Sequence, residues 1–167
     1  GGFRGLIFLR SGGPVSGLHF GNGMELRYSW ADAANTWGWN SGLLVPDGQW
    51  ALAAVVVEPT RATIYLGANG TLQSAVNTVN HANQNFNNSP TRIGVDPTSV
   101  NRHFNGWIDE VAIWNRALSS AEITTLFQAG MGGDLEITIA RESSNVTISW
   151  PAGTLQSASE INGTWTD

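Results

Sequence analysis

The sequence predicts an all-β fold of short antiparallel strands, with one helix near the end of its first 130 residues. Three observations support this prediction. Charged residues make up only 13% of the 167-residue chain, well below the ~25% that is typical of soluble domains. Twenty glycines and six prolines are spread along the chain, and these residues mark turns. Between the turn signals lie apolar or alternating segments of strand length.

Two kinds of pattern predict the strands. In Glu25–Trp30 every second residue is apolar, which places Leu26, Tyr28 and Trp30 on one face. The segment Trp50–Glu58 is rich in valine without polar interruption, which is typical of a central strand covered on both faces. Further extended segments are predicted at Leu6–Leu9, Val15–Phe20, Thr36–Leu44, Ala62–Leu66, Thr71–Val79, Thr91–Val95 and Trp107–Trp114.

One helix is predicted from its capping residues. Ser119 and Glu122 have the spacing of a capping box, in which each side chain bonds the backbone N–H of the other residue. Leu118 and Ile123 occupy the flanking hydrophobic-staple positions. We expect the helix to continue to about residue 129 and Gly130 to follow its end.

The chain divides into three parts on this reading. Residues 1–130 are expected to form one domain, residues 131–134 a glycine-rich linker, and residues 135–167 part of a second β-module. Alternating apolar residues predict strands at Leu135–Ile139 and Val146–Trp150 within that module, and another strand from Gly153.

Composition excludes several classes of function. The net charge is −5, all eight basic residues are arginines, and they do not cluster, so a nucleic-acid partner is not expected. Without cysteine there are no disulfides, thiolate metal sites or cysteine nucleophiles. No apolar run approaches the ~20 residues that span a bilayer, so membrane insertion is not expected.

The run FNGWIDEVAIWNRALSSAEITTLF, at residues 104–127, resembles the C-terminal signature of a known family. This family comprises the laminin-G-like, concanavalin-A-like jelly-roll domains of secreted bacterial proteins. The resemblance covers roughly residues 4–130 and implies two packed antiparallel sheets followed by one short helix. Similar segments are VPDGQWALAAVVV at Val45–Val57, ATIYLGANG at Ala62–Gly70 and RIGVD at Arg92–Asp96.

The sequence departs from the family pattern in two places. Ala51 and Leu52 follow Trp50, where the family usually has a histidine. Family domains also begin with strands that precede anything like Leu6–Leu9, so we expect a domain that lacks its first strands.

The tryptophan-rich stretch is the first candidate site. Trp37 and Trp39 are two residues apart and would share one face of a strand, near Trp30, Asn35 and Asn40. Indole faces stack on the apolar faces of sugar rings, and amides bond sugar hydroxyls, so these residues are candidate carbohydrate ligands. The alternative is that the tryptophans fill the core between two sheets, as large aromatic residues usually do.

Asp109 and Glu110 are the second candidate. On a strand their carboxylates would point to opposite faces, so they are not expected to form the acid–base pair of a glycosidase. Asp109 is expected to point inward toward a backbone N–H, toward Arg92 or Arg116, or toward calcium. Calcium occurs in parts of the family, and Asp109 and Asp96 are the candidate ligands.

The remaining motifs are weaker. The Asn-rich loop at residues 80–90 is expected to be a solvated connector, with a ligand loop as the alternative. His19, His81 and His103 lack metal-binding spacing and are expected to be solvated or structural.

We therefore expect a non-catalytic carbohydrate- or glycoconjugate-binding module of a larger secreted or cell-surface bacterial protein. Its expected partners are a polysaccharide or glycoconjugate and other extracellular proteins. One alternative is a structural or protein-adhesion spacer without a sugar site. Another is a fragment of a glycoside hydrolase whose catalytic residues lie elsewhere.

Overall fold

The computed structural model describes residues 2–10, 15–84, 90–97, 101–130, 138–142 and 145–149. The chain forms two compact units, Gly1–Phe127 and Gln128–Asp167. The strands are β1 Arg4–Leu9, β2 Ser16–Phe20, β3 Leu26–Ser29, β4 Leu52–Glu58, β5 Arg61–Ala68, β6 Thr71–Asn77, β7 Thr91–Ile93, β8 Thr138–Glu142 and β9 Asn145–Ser149. The helices are α1 Ala34–Trp37 and α2 Ser120–Gly130, and Asn22–Met24 form a single 3₁₀ turn.

The first unit contains two antiparallel sheets. One has the strand order β3-β2-β1-β7 and the other the order β4-β5-β6. Apolar side chains from both sheets form one buried cluster between them: Leu18, Phe20, Leu26, Tyr28, Leu43, Ala62, Ile64 and Leu66. The predicted all-β sandwich of jelly-roll type, with one short C-terminal helix, is confirmed.

Strand β5 is the central strand of the second sheet and is covered on both faces. Ala62, Ile64 and Leu66 face the other sheet and are at most 3% exposed. On the opposite face, Gly67 lies directly under the ring of Phe127 in α2. The prediction that Trp50–Glu58 is the central strand is wrong for the described sheet, because β4 is an edge strand and β5 lies between β4 and β6. The run of valines reflects packing on both faces, which an edge strand also allows.

Helix α2 begins with the predicted capping box. The Glu122 backbone N–H donates to Ser119 Oγ at 3.2 Å, and the Ser119 N–H donates to Glu122 Oε2 at 2.8 Å. Leu118 and Ile123 are buried together with Val56 of β4. The cap thus starts the helix where its apolar residues can cover the outer face of the second sheet.

The segment Thr36–Leu44 was predicted to be extended, and this prediction is wrong at its start. Residues 34–37 form a helical turn instead. Thr36 explains the difference, because its Oγ1 accepts the Trp30 backbone N–H at 2.9 Å and donates to Ala33 O at 2.7 Å. These bonds stabilise a local turn in place of a strand ladder.

The segment Trp107–Trp114 was predicted to be a strand, and no strand forms there. Trp107 is 86% exposed, and Val111, Ile113 and Trp114 are also exposed. Within the described ranges no strand lies alongside this segment to complete a hydrogen-bonded ladder, so its apolar pattern alone does not make it a strand.

The second unit contains the antiparallel hairpin β8–β9. The predicted strand Val146–Trp150 nearly coincides with β9. The predicted strand Leu135–Ile139 overlaps β8 at residues 138–139, and its first three residues lie outside the described part of the chain. The predicted linker at 131–134 and the strand from Gly153 lie outside the described residues. The proposed division into a domain, a linker and a partial module stays a prediction.

His19 is buried on the face of β2 opposite to the inter-sheet cluster. Its ring lies 5.1 Å from that of Phe3 and 5.6 Å from that of Phe8, and its Nε2 is 3.1 Å from Ser29 Oγ. Burial lowers the pKa of His19 to about 4. The imidazole is therefore neutral in the folded protein at neutral pH.

We predict that Gly67→Ala destabilises the first unit. A Cβ at this position would overlap the ring of Phe127, so the ring or α2 must shift, at a cost of about 1–3 kcal/mol. Chemical denaturation measures this loss. Gly130→Ala is the control, because no atom of the described residues lies within 4 Å of its added Cβ. Equal unfolding free energies for Gly67→Ala and the parent protein would contradict the described packing of α2.

We predict that stability falls as the pH drops below about 6.5 toward about 4. In this window the unfolded chain binds a proton at His19 that the folded protein does not, at a total cost of about 3 kcal/mol. Urea unfolding across this range should show a smaller loss for His19→Gln. The exposed His103→Gln should keep the full dependence. Identical pH profiles of the unfolding free energy for His19→Gln and the parent would show that His19 is not the cause of the pH dependence.

Candidate functional site

A pocket of about 210 Å³ opens at one end of the sandwich, beyond the end of β3. Its lining comes from three parts of the chain, namely the residue after β3, the end of β4 with the first residue of the turn that follows it, and the segment that follows β6. It therefore lies where the ends of both sheets meet. The lining residues are Trp30, Val57, Glu58, Pro59, His81, Ala82, Asn83 and Gln84.

A chain of hydrogen bonds lies behind this pocket. Asn77 Nδ2 donates to Tyr28 Oη at 2.8 Å and to the backbone oxygen of Asn35 at 2.9 Å. Tyr28 Oη lies 2.8 Å from His81 Nε2. The Tyr28 oxygen accepts from Asn77, and the direction of its bond with His81 Nε2 follows the tautomer of the imidazole. This series of hydrogen bonds links α1 to the pocket lining.

Burial fixes the protonation of these groups. It raises the pKa of Tyr28 to about 12 and lowers the pKa of His81 below its usual value, an effect partly offset by the backbone of Glu58. His81 Nδ1 is itself buried without a hydrogen bond to any described residue. The pocket therefore presents a neutral imidazole at neutral pH.

The segment at residues 81–84 is held against its surroundings by backbone and side-chain bonds. The Trp30 indole N–H donates to Ala82 O at 2.7 Å, and the His81 backbone N–H donates to Pro59 O at 2.8 Å. Gln84 Oε1 accepts from Ser16 Oγ at 3.2 Å, while its Nε2 donates to Asn83 O at 2.9 Å. These bonds fix the pocket wall before any ligand arrives.

The predicted tryptophans do not form one platform. Trp30 lines the pocket. Trp39 is half-buried, with its ring 6.0 Å from Tyr28 in an edge-to-face arrangement, so it contributes to the core. Trp37 lies on α1, remains 38% exposed and donates from its indole to Asp32 O. The expected shared face of Trp37 and Trp39 is wrong, because residues 34–37 are helical and not extended.

The two predicted asparagines, Asn35 and Asn40, also do not come together in one site. The backbone oxygen of Asn35 takes part in the hydrogen-bond chain, while the residue as a whole is exposed. Asn40 is exposed as well. Sequence reasoning missed Tyr28 and Asn77 as parts of the site, and it included His81 and Gln84 only through the alternative that the 80–90 loop is a ligand loop. A signal existed for Tyr28, because the alternation in β3 places it on the face of Trp30.

A family model describing the concanavalin A-like lectin/glucanases superfamily, of laminin-G type, matches residues 2–124. The chain belongs to this superfamily. The family description includes both lectins and glucanases, so membership is compatible with binding and with hydrolysis. No curated protein matches this superfamily member.

The laminin-G-like chain is also similar to a solved structure, a 2.1 Å crystal structure of residues 221–444 of an S-layer domain-containing protein from Clostridium thermocellum ATCC 27405. The two share 24% identity with a TM-score of 0.43. The match covers 72% of this chain and 60% of the other. Separately, the described helices include none that is long and apolar enough to cross a membrane.

The candidate calcium ligands have different surroundings in this laminin-G-like domain. Asp96 is fully buried, and its carboxylate pairs with Arg10 at 2.9 Å and with Arg102 at 2.6 Å. Two guanidinium groups already neutralise it, which leaves it poorly suited to a cation. Asp109 was expected to point inward and is exposed instead, because its segment joins no sheet.

Calcium binding by Asp96 and Asp109 therefore stays a prediction. Asp109 Oδ1 accepts the Glu110 backbone N–H at 2.9 Å, a local bond that needs no metal. Within the parts of the chain that the structure describes, no three His, Cys, Asp or Glu residues cluster in a way that could hold a metal ion.

Glu58 is the one carboxylate among the pocket-lining residues. It forms a salt bridge with Arg61 across the turn between β4 and β5, and the Arg61 guanidinium lowers the pKa of Glu58. A glycosidase mechanism needs a second carboxyl group on the other side of the scissile bond. The described lining supplies hydrogen-bonding groups and an aromatic surface, both of which can bind a ligand.

We predict that Tyr28→Phe destabilises the first unit by about 1–3 kcal/mol, because it removes one partner from the buried Asn77 and one from the half-buried His81. Denaturant unfolding measures the loss. The matched control is Tyr65→Phe on β5, whose hydroxyl makes no hydrogen bond within the described part of the chain. A cost no larger than that of Tyr65→Phe would show that the hydrogen-bond chain contributes little.

Proposed function

We propose that this domain is a non-catalytic carbohydrate- or glycoconjugate-binding module, and that the pocket beside Trp30 receives one sugar ring. The observation that carries the proposal is the lining itself. An indole, a neutral imidazole and the amides of Asn83 and Gln84 surround one opening at the end of the sandwich. Loops at the ends of β-sandwiches commonly carry binding sites.

The lining groups match the chemistry of a sugar. The amide of Gln84 uses one donor and one acceptor within the protein, so a second N–H and a second lone pair remain for hydroxyl groups. The exposed Asn83 adds another amide at the rim. Trp30 contributes apolar surface on which the C–H face of a ring can pack.

The size of the pocket limits what it holds. About 210 Å³ is below the ~300–1,000 Å³ of pockets for drug-sized ligands. One ring therefore occupies the pocket, and the rest of the glycan lies across the surface. The exposed Trp37 on α1 is the proposed second contact, because Asn35 in the same helical turn is bonded through Asn77 and Tyr28 to His81 of the pocket lining.

In this proposal the domain works outside the cell, as part of a larger secreted or cell-surface bacterial protein. Its ligand is a polysaccharide or glycoconjugate. Family membership supports an extracellular binding role.

A second candidate function is adhesion to another protein. The observation that favours it is the exposed apolar segment at residues 107–114, in which Trp107, Ile113 and Trp114 are each close to half exposed or more. Large exposed apolar surfaces often mark protein contacts. A glycoside hydrolase is not favoured, because the pocket lining offers one carboxylate.

We predict that Trp37→Ala and Gln84→Ala each lower glycan affinity by about tenfold, which corresponds to about 1.4 kcal/mol of lost binding free energy. A glycan array first identifies a ligand, and isothermal titration calorimetry then compares the variants. Trp50→Ala is the control, since Trp50 is 65% exposed and does not line the pocket.

Circular dichroism and thermal unfolding confirm that each variant is folded. Absence of binding to every glycan by the folded protein would overturn the carbohydrate proposal. It would leave protein adhesion as the better account.

A further inference from the structure

Glu58, which lines the pocket, forms a salt bridge with Arg61 at the adjacent turn. Arg61 Nε and Nη2 both donate to the carboxylate of Glu58, with Nη2 at 3.2 Å from Oε1. Their side chains are 57% and 33% exposed, so the pair is open to solvent. The two charges neutralise each other. Arg61 is not among the residues that line the pocket.

The residues that the structure describes in the lining offer no cationic group to a ligand. Among its residues Glu58 is the one ionised side chain, and no lysine or arginine belongs to it. The imidazole of His81 is neutral at neutral pH, because burial lowers its pKa. An anionic substituent that entered this pocket would lose water and would find no free cation to pair with, because the Arg61 guanidinium is already bonded to Glu58.

Uncharged polar groups are well matched to the same surface. The amides of Asn83 and Gln84 can both donate and accept, and so can sugar hydroxyls and acetamido groups. We propose that the pocket selects neutral hexose or N-acetylhexosamine units and rejects sulfated and uronic-acid units, with the Glu58–Arg61 pair setting this preference. This inference rests on the proposed carbohydrate-binding function and names its ligand class.

The Glu58–Arg61 pair determines specificity because Glu58 keeps the Arg61 guanidinium from binding an anion. With Glu58 present, the guanidinium of Arg61 is occupied and the mouth carries no net charge. Glu58→Gln removes the carboxylate and leaves the guanidinium available to an anion. Both residues stand at the end of the β4–β5 ladder, where Glu58 pairs with Arg61 across the turn, so the change does not reach the core.

The test uses a glycan array that carries each oligosaccharide in a neutral and an O-sulfated form, together with oligosaccharides that contain uronic acids. Calorimetry then compares the affinities for these forms. We expect the parent protein to bind its best neutral glycan at least about tenfold more tightly than the sulfated form, because the sulfate would lose water without gaining a cationic partner. Glu58→Gln should reduce that ratio several-fold by raising affinity for the sulfated form, with little change for the neutral one.

Glu110→Gln is the matched control. It changes net charge by the same amount at an exposed carboxylate outside the pocket, and it should leave the ratio unchanged. Calorimetry at two salt concentrations separates local charge from the overall negative charge of the protein, because the long-range component weakens with salt.

The outcomes are distinct. Binding of sulfated or uronic-acid glycans as tightly as neutral ones would overturn this inference and leave the carbohydrate-binding proposal intact. An unchanged ratio in Glu58→Gln, or the same change in Glu110→Gln, would overturn the role of the Glu58–Arg61 pair. Absence of binding to all forms would overturn both proposals.

Discussion

The hydroxyl group of Tyr28 is the interaction on which both the fold and the candidate site depend. The ring is fully buried between the sheets, and a buried phenol must find polar partners. It finds Asn77 on β6 and His81 in the segment that follows. One side chain of β3 is thereby bonded to the opposite sheet and to the pocket wall. The packing of the core and the position of the pocket lining are thus consequences of the same contacts.

The alternation of residues along the chain predicted the fold well. Leu26 and Tyr28 are buried as their spacing requires, and the capping box of Ser119 and Glu122 begins α2 where expected. These features are local, since a period of two or a pair of caps is decided by neighbouring residues. The position of a strand within its sheet is not local. The valines of β4 therefore indicated a strand correctly and failed to show that β5 is the central one.

The candidate site was less predictable for the same reason. Trp30 was identified, whereas His81 and Gln84 come from a loop that composition alone describes as a polar connector. They line a pocket because Pro59 O and Ala82 O anchor that loop to distant parts of the chain. Trp37 and Trp39 were assigned to one face on the assumption of an extended chain. The side chain of Thr36 stabilises a helical turn and separates them.

The location of Glu58 and Arg61 has a consequence for how this domain can change over evolutionary time. They flank a two-residue turn and form the last pair of a ladder whose other members hold the sheet together. Substitutions at such a turn leave the buried residues of β5 untouched. Descendants of one ancestral domain could therefore acquire a different surface charge at this end of the sandwich by exchanging a few turn residues, without first gaining stability to compensate for damage to the core.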